Sequence, residues 1–248
     1  MVYEINTFNL EKYLDIPTTD DHYYKGINEE LPIGTSNGLA FVNDGSGSVL
    51  KIQFVKNNFG KKEGTLTFTG MLGDVMKESV EVVKMATFNL LEKWEILNKE
   101  TFDKIGLHLH IPQGAIPKDG PSAGVALFCA LTSSIIQKPV KKNLAMTGEI
   151  STLGEVIAIG GVWEKLTACK NYRITNVILP YSNEKNFNKL PDEFKSGFTI
   201  YYVKTIEDVY KIAFTDDDLS DIKQISFPVD HSLDLNFIDL EPPAYDLL

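Results

Sequence analysis

One segment of the sequence is apolar or small on every side over the length of a helix. Residues 123–137 read AGVALFCALTSSIIQ and carry no charged side chain. A helix that is hydrophobic all round is stable only when other elements bury it. The segment therefore predicts a buried helix, and the 248 residues provide enough apolar content for a real core around it. The sequence has no uncharged apolar run of about 18 residues, so it predicts no membrane association.

Hydrophobic periodicity predicts strands and helices on either side of this segment. Alternating apolar residues predict strands, and apolar residues three and four apart predict helices. Asp74 and Thr205 stand where helix caps are expected. Strands and helices alternate without a strict βαβ rhythm, which predicts a mixed α+β domain over residues 34–214. The expected strands are 39–43, 49–56, 65–69, 106–111, 144–150, 156–159, 177–180 and 200–203, and the expected helices are 74–98, 123–137, 162–171 and 206–214.

The two ends of the chain differ from this body. Residues 1–33 read as an irregular lead-in with a short helical piece at 9–14. Residues 215–248 hold nine acidic residues and one base, Lys223, so this extension carries −8 of the net charge of −10. Residues 1–214 are nearly neutral, so neither this body nor the acidic extension has the basic patch that nucleic-acid binding needs. The charge of the extension and Pro242-Pro243 leave two alternatives, disorder or docking on a neighbour, and its apolar residues argue against a purely solvated tail.

The chain contains only two cysteines, Cys129 and Cys169, and each lies within a predicted helix. Two isolated thiols in a chain of this size indicate a reducing compartment rather than a disulfide framework. We therefore expect an intracellular protein.

The loop before the buried helix contains a serine in the pattern G-x-S-x-G. Pro121 fits the first position of a helix, because proline lacks the N–H group that a helix start leaves unpaired. Ser122 then lies in the first turn, where free amides and the positive end of the helix dipole can stabilise an oxyanion. Gly120 and Gly124 allow close approach of the backbone and a substrate. The alternative is that Ser122 only helps to cap the helix, as serine often does.

A reactive Ser122 needs a base, and histidine is the first alternative. A nucleophile elbow requires an acid and a histidine later in the chain, which leaves His231 with Asp208 or Asp216. His108 and His110 are a further choice, or a partial metal site without the remaining ligands. Against these readings, loop residues separate the strand at 106–111 from Ser122, and an alternating strand face commonly carries exposed histidines.

Lys165 is the other candidate base. It lies near the start of a predicted helix with an apolar flank, and burial there would disfavour its charged form. A neutral lysine can take the proton of Ser122 and later return it to the leaving amine. Thr147, on the strand before this helix, is placed to orient the amine. The alternative is that Lys165 is a solvated surface residue, as lysines near helix starts usually are.

Five sequence blocks, in order, resemble one family. They are TGMLGDVMKES (69–79), HLHIPQGAIPKDGPSAG (108–124), LAMTGEIS (144–151), LGEVIAIGGVWEKL (153–166) and VILPYSNEKNF (177–187). Together they resemble the proteolytic domain of Lon, the ATP-dependent protease, in its bacterial and mitochondrial branch. The resemblance covers residues 34–214 and extends weakly into EINTFNLEKYL, which is similar to the end of the Lon ATPase module.

This resemblance implies roles for particular residues. It places the family's nucleophile on Ser122 and its general base on Lys165, a Ser–Lys dyad without histidine, with Thr147 beside the lysine. Asp119 and Gly120 match the loop that forms or blocks the oxyanion site. The implied fold is an α+β domain that resembles ribosomal protein S5 domain 2, and the implied assembly is a hexameric ring. Trp163 and Gln113 depart from the family pattern, and residues 215–248 have no counterpart in it.

The resemblance also implies what this chain does not hold. The sequence contains no G-x-x-x-x-G-K-[ST] phosphate-binding loop. We therefore expect no cofactor in this chain, with ATP and magnesium bound by an AAA+ ATPase module in cis. The expected substrates are unfolded or damaged polypeptides. Two alternatives remain: a Ser-His-Asp hydrolase, and an inactive assembly or regulatory module.

Overall fold

An eight-stranded mixed sheet forms the centre of the fold. The structure, a computed structural model, describes residues 30–42, 45–56, 64–112 and 117–215, and the backbone of 223–226. The strand order is β10-β9-β8-β5-β1-β2-β4-β3, with β1 antiparallel to β2 and parallel to β5. The sheet strands are β1 (Thr35–Phe41), β2 (Gly47–Lys56), β3 (Leu66–Thr69), β4 (Leu107–His110), β5 (Leu144–Met146), β8 (Asn176–Pro180), β9 (Thr199–Val203) and β10 (Lys223–Ser226).

A two-stranded ribbon and seven described helices complete the fold. The ribbon pairs β6 (Glu149–Ile150) with β7 (Val156–Ile157) in antiparallel register. Short 3₁₀ turns span Pro121–Ala123 and Tyr181–Asn183. The helices are α1 (Asp74–Lys93), α2 (Lys99–Lys104), α3 (Gly124–Ile136), α4 (Val162–Asn171), α5 (Glu184–Asn188), α6 (Asp192–Lys195) and α7 (Ile206–Phe214). Within these described residues, no helix is both long enough and apolar enough to cross a membrane.

The all-apolar segment is buried, as its composition predicts. Every residue of α3 except Ile136 is buried, and the helix contacts β1 and β2 on one side and α1 and α7 on others. Ser36 on β1 donates a hydrogen bond of 2.7 Å to the Ala126 carbonyl, which ties the helix to the sheet. Helix α4 covers a second apolar cluster built on Leu39, Val49 and Leu166. Helices α3 and α4 therefore pack against different side chains of β1 and β2.

Several predicted elements have different bounds in the structure. The predicted strand 144–150 divides into β5 and β6, because the chain turns at Thr147 and Gly148. Helix α1 ends at Lys93 rather than near residue 98. Glu95, two residues after this end, adopts a positive φ of 58° that a helix does not continue through. Asp74 is the first helical residue and not the cap, a position that Gly73 takes without a side-chain hydrogen bond. Thr205 does cap α7, in a capping box with Asp208.

The mixed sheet flanked by helices is compatible with the predicted α+β class. The short helices α2, α5 and α6 carry too few turns to show a clear period, and the sequence patterns did not predict them. Strand β10 lies in the acidic extension and pairs antiparallel with β9. The short helical piece at 9–14 lies outside the described residues, and the domain boundaries at 33 and 214 stay a prediction.

Candidate active site

Ser122 lies in the 3₁₀ turn that leads into α3. Gly120 precedes it with a φ of +100°, a conformation that favours glycine, and Pro121 takes the first helical position as predicted. The Ser122 carbonyl accepts two hydrogen bonds, one of 2.9 Å from the Gly148 amide and one of 3.0 Å from Thr147 Oγ1. The serine turn is thereby fixed to the bend between β5 and β6.

Lys165 is buried at the first turn of α4. Its side chain is 2% exposed, because Val162 and Leu166 on the same helix pack into the second apolar cluster and carry the lysine inward with them. Lys165 Nζ donates a hydrogen bond of 3.1 Å to Thr147 Oγ1. The position of a lysine near a helix start usually indicates a solvated side chain, and here the structure shows the opposite.

The Thr147 hydroxyl joins the two candidate residues. It accepts from Lys165 Nζ and donates to the Ser122 carbonyl, so one side chain contacts both segments. Its own amide donates to the Ile178 carbonyl on β8, at 3.2 Å. The threonine is fully buried, so neither contact competes with bulk water. Segments that are more than forty residues apart in the chain therefore meet at one hydroxyl group.

Burial changes the acidity of the Lys165 amine. Loss of hydration lowers its pKa from the usual 10.5 to about 8, because an apolar environment disfavours the ammonium form. Glu164 opposes this shift by Coulombic attraction, to a smaller extent. Near pH 8 about half of the amine is thus neutral and has a free lone pair. A neutral amine is the form that can accept a proton.

Ser122 and Lys165 line one open cleft of about 810 Å³. Leu39, Leu50, Met76 and Ala123 provide buried apolar parts of its wall. Its charged members are Lys118, Asp119, Glu164 and Lys165, and backbone near Gly160 and Gly161 also contributes. The cleft is large enough to hold several side chains of an extended peptide.

Asp119 connects the serine loop to the start of α1. Its Oδ1 accepts hydrogen bonds of 2.9 Å from the Met76 amide and from the Gly120 amide. The carboxylate therefore supplies the cap that Gly73 lacks, although Asp119 lies 43 residues after Met76 in the chain. A Cβ atom on Gly73 would lie 2.4 Å from Asp119 Cγ, so this approach requires glycine.

Backbone contacts of Lys118 strengthen the same connection. The Gly73 amide donates to the Lys118 carbonyl at 2.8 Å, and the Lys118 amide donates to the Met71 carbonyl at 3.0 Å. Lys118 is 5% exposed, and its Nζ donates to the Gly70 carbonyl at 3.3 Å. Burial lowers the pKa of this lysine as well. Lys118 and Asp119, which lie shortly before Ser122, are thus paired with residues 70–76.

The histidine alternatives do not meet Ser122 in the described residues. His108 and His110 alternate with the buried residues of β4, as predicted, and their rings bond to the hydroxyls of Thr67 and Thr69 at 2.7–3.0 Å. Neither histidine lines the cleft. His231 and Asp216 lie outside the described residues. Asp208 accepts hydrogen bonds from the amides of Lys204 and Thr205, at 2.9 and 3.1 Å, and so belongs to the start of α7.

Metal binding finds no support in the part of the chain that the structure describes. Within that part, no three His, Cys, Asp or Glu side chains are grouped closely enough to hold an ion.

Sequence patterns missed several cleft residues, including Leu50, Met76 and Glu164. Leu50 reads only as an inward position of an alternating strand, because an apolar residue that lines a cleft has the same pattern as one inside a core.

The cleft therefore combines a hydroxyl at a helix start with a buried amine of lowered pKa. This combination can support acyl transfer, in which a serine attacks a carbonyl with the help of a neighbouring base. The comparisons with known proteins give the family.

Residues 4–216 match the family described as Lon protease (S16) C-terminal proteolytic domain, and the chain belongs to this family. A Lon protease from Buchnera aphidicola subsp. Schizaphis graminum is 43% identical over 210 residues, or 85% of this chain. Lon protease homolog 4, chloroplastic/mitochondrial, from Arabidopsis thaliana is 39% identical over 212 residues, or 86% of this chain. A mitochondrial Lon protease homolog from Dictyostelium discoideum is 40% identical over 221 residues, or 83% of this chain.

These relatives are much longer than the chain. The match covers 26% of the Buchnera protein and 22% of the Arabidopsis and Dictyostelium proteins. The chain thus spans about a quarter of the length of its relatives, in the part that corresponds to the proteolytic domain.

Proposed function

We propose that this chain hydrolyses peptide bonds with a Ser122–Lys165 dyad, as the proteolytic part of an ATP-dependent Lon-type protease. One observation carries the proposal. The Thr147 hydroxyl contacts both the Ser122 carbonyl and the buried Lys165 amine, so the nucleophile and the base line the same cleft. Membership in the proteolytic-domain family supports the same reaction.

The reaction has two stages. Neutral Lys165 accepts the Ser122 hydroxyl proton while Ser122 Oγ attacks the carbonyl carbon of the peptide. The positive end of α3 faces the oxyanion that forms, and the Gly120 turn gives the substrate carbonyl room to approach. As the C–N bond breaks, the Lys165 ammonium returns its proton to the amine that leaves. An acyl ester on Ser122 remains.

Water completes the cycle. Lys165, neutral again, takes a proton from a water molecule that attacks the ester carbonyl. When the second tetrahedral intermediate collapses, Ser122 Oγ leaves and recovers its proton from Lys165. The products are one amine and one carboxylic acid, and the dyad returns to its starting form. Throughout this cycle Thr147 orients the amine so that the lone pair stays available to the hydroxyl of Ser122.

The positions around the dyad have supporting roles in the proposal. Asp119 and Gly120 set the loop that determines where the oxyanion is received, and the contact of Asp119 with α1 supports this placement. The fold is proposed to be that of a Lon protease domain, which resembles ribosomal protein S5 domain 2. Residues 1–33 are proposed to correspond to the end of an ATPase module, and residues 215–248 to an acidic extension.

The wider assembly is also a proposal. Relatives named Lon protease support unfolded or damaged polypeptides as substrates, an AAA+ module in cis that binds ATP and magnesium, and a hexameric ring. We propose no cofactor for this chain itself. Relatives named mitochondrial, and others from bacteria, support an intracellular site in either the mitochondrial matrix or the cytoplasm.

Turnover of an unstructured peptide tests the dyad. We expect Ser122→Ala and Lys165→Met each to lower kcat/KM by at least about 1,000-fold, since each residue is needed in both stages. Ser134→Ala, at the other end of α3, and Lys142→Ala, on the surface, are matched controls that retain wild-type turnover. Substantial turnover by Lys165→Met refutes the dyad. Loss of activity in His231→Ala instead favours a Ser-His-Asp hydrolase, and a wild-type chain without turnover favours an inactive module.

A further inference from the structure

Trp163 occupies the outer side of the helix that carries Lys165. It is the second residue of α4, and 45% of its surface is exposed. Its indole stacks on the ring of Phe194 from α6, with 4.2 Å between the ring centroids and 15° between the planes. Near-parallel stacking of two aromatic rings stabilises the pair beyond the effect of the apolar area that it buries. The exposed indole therefore has a defined contact within the chain.

A second contact fixes the same aromatic surface at the other end of α4. Lys170 Nζ lies 4.7 Å from the Phe194 ring centroid and 5.7 Å from that of Phe198. Phe198 is buried in the second apolar cluster and lies beside Phe194. The segment 192–198 thus contacts α4 at its first turn through Trp163 and at its last turn through Lys170.

The first turn of α4 begins at a residue that offers no capping side chain. Its N-cap is Gly161, with a φ of 70°, and glycine has no side-chain acceptor for the first amides of the helix. The Lys165 amide closes this turn by donating to the Gly161 carbonyl at 3.0 Å. Val162 and Leu166 hold the turn from the inside, and Trp163 on Phe194 holds it from the outside. An uncapped first turn frays easily unless both sides are packed.

We propose that Trp163 is a positioning residue, whose stack on Phe194 keeps the first turn of α4 closed and Lys165 buried beside Thr147. This inference rests on the proposed function for its catalytic meaning, and on the observed stack for its physical basis. Trp163 departs from the family pattern, and this proposal gives it a role.

Removal of the stack has a specific electrostatic consequence. When the first turn opens, water reaches the Lys165 amine and its pKa rises from about 8 toward the usual 10.5. The charged groups around it are Glu164 on its own helix and Asp119 and Lys118 in the cleft, of which Glu164 raises this pKa by Coulombic attraction. A raised pKa leaves less neutral amine below pH 8. The acid limb of the pH–rate profile then moves to higher pH.

The test compares two tryptophans in the same chain. We use Trp163→Ala, Trp163→Phe and Phe194→Leu, with Trp94→Ala as the control, since Trp94 contacts Tyr210 at 4.8 Å in an unrelated aromatic pair. The Lys165 titration is followed by NMR of chain labelled with ¹³C at lysine Cε, and Lys165→Met assigns the signal. Peptide turnover is measured over the same pH range.

We expect Trp163→Ala and Phe194→Leu to raise the Lys165 midpoint by about 0.5–1 pH unit, and to lower kcat about three- to tenfold at pH 7 with little change in KM. Trp163→Phe keeps a stacked ring and stays within about twofold of wild type. Trp94→Ala lowers the melting temperature without moving the midpoint. The double variant Trp163→Ala/Phe194→Leu shifts the midpoint no further than Trp163→Ala alone, since both changes remove one contact.

The inference is overturned if Trp163→Ala behaves like Trp94→Ala, with lower stability and an unmoved Lys165 midpoint. Should Trp163→Ala fail to fold, the same reading is taken from Phe194→Leu, which leaves the indole in place. A shifted midpoint in a chain that cleaves no peptide supports the positioning role and refutes the proposed function. The two failures are therefore distinguishable.

Discussion

The two halves of the candidate site are held in place by different forces. The serine loop is fixed by hydrogen bonds. Asp119 accepts one from the Met76 amide, Lys118 exchanges backbone bonds with Gly73 and Met71, and the Ser122 carbonyl accepts from Gly148 and Thr147. The lysine is fixed by apolar packing of α4, with a single described hydrogen bond from its amine. The position of Ser122 therefore depends on hydrogen-bond partners being present. The burial of Lys165 depends on packing that excludes water.

The contrast has a chemical reason. A serine at a helix start must present its hydroxyl to a substrate, so its loop stays at the surface and is held by directed bonds. A lysine that acts as a base must lose its charge, and only burial lowers its pKa to about 8. Thr147 contacts both halves of the site. A substitution at Thr147 therefore tests the connection between them first.

Outside the proposed dyad itself, the largest effect is expected for Thr147→Val, which keeps the shape of the side chain and removes the hydroxyl. Both the Lys165 amine and the Ser122 carbonyl lose a partner. We expect kcat/KM to fall about 100-fold, because the amine is no longer oriented toward the serine. Thr147→Ser restores the hydroxyl and is expected to stay within about fivefold of wild type. Equal losses in both variants contradict a role for the hydroxyl.

A second prediction separates stability from activity on the lysine side. Below pH 8 the folded chain holds a buried ammonium that the unfolded chain solvates, so folding bears a cost that falls as pH rises from about 8 to 10.5. The span between these pKa values corresponds to about 3 kcal/mol as an upper estimate. We expect Lys165→Met to raise the free energy of unfolding at pH 7 by about 1–3 kcal/mol, with no gain at pH 10.5.

Urea denaturation at both pH values measures this difference. Lys170→Met is a matched control on the same helix, and it is expected to bring no comparable gain at pH 7, because its side chain lies on the aromatic surface rather than in the cleft. A Lys165→Met variant that is less stable than wild type at pH 7 contradicts the prediction that burial of the Lys165 ammonium lowers the free energy of unfolding.

The smallest effect is expected on the serine side, for Asp119→Ala. This change removes the cap of α1 and one tie of the loop, so we expect a loss of about 1 kcal/mol in the free energy of unfolding. Turnover is expected to fall about tenfold, as the loop samples other positions. Asp74→Ala, an exposed acid on the same first turn, is the control and changes both quantities little. If the two variants are equal, Asp119 does not position the loop.

The sequence predicted those parts of the fold that follow from local pattern. The all-apolar run predicted the buried helix α3, alternation placed Leu107 and Leu109 inside β4, and Thr205 indicated the start of α7. The resemblance in five blocks predicted the family, which the comparisons confirm. These features depend on residues that are close in the chain, where period and capping chemistry are visible.

The remaining features depend on contacts between distant residues. The division of 144–150 into two strands follows from the bonds of Thr147 and Gly148 to Ser122, 25 and 26 residues away. The cap of α1 comes from Asp119, so the helix start shows no capping residue of its own. The burial of Lys165 depends on which face of α4 meets β1 and β2, which local spacing leaves open.

The central claim is that burial lowers the pKa of Lys165 to about 8, so that its neutral amine can activate Ser122. The most direct test is the pH dependence of Ser122 labelling by a serine-directed phosphonate, in wild type and in Lys165→Met. We predict a labelling rate that rises with a midpoint near pH 8 in wild type, and a slow rate without this midpoint in Lys165→Met. Labelling at the same rate and with the same midpoint in both chains would contradict the claim.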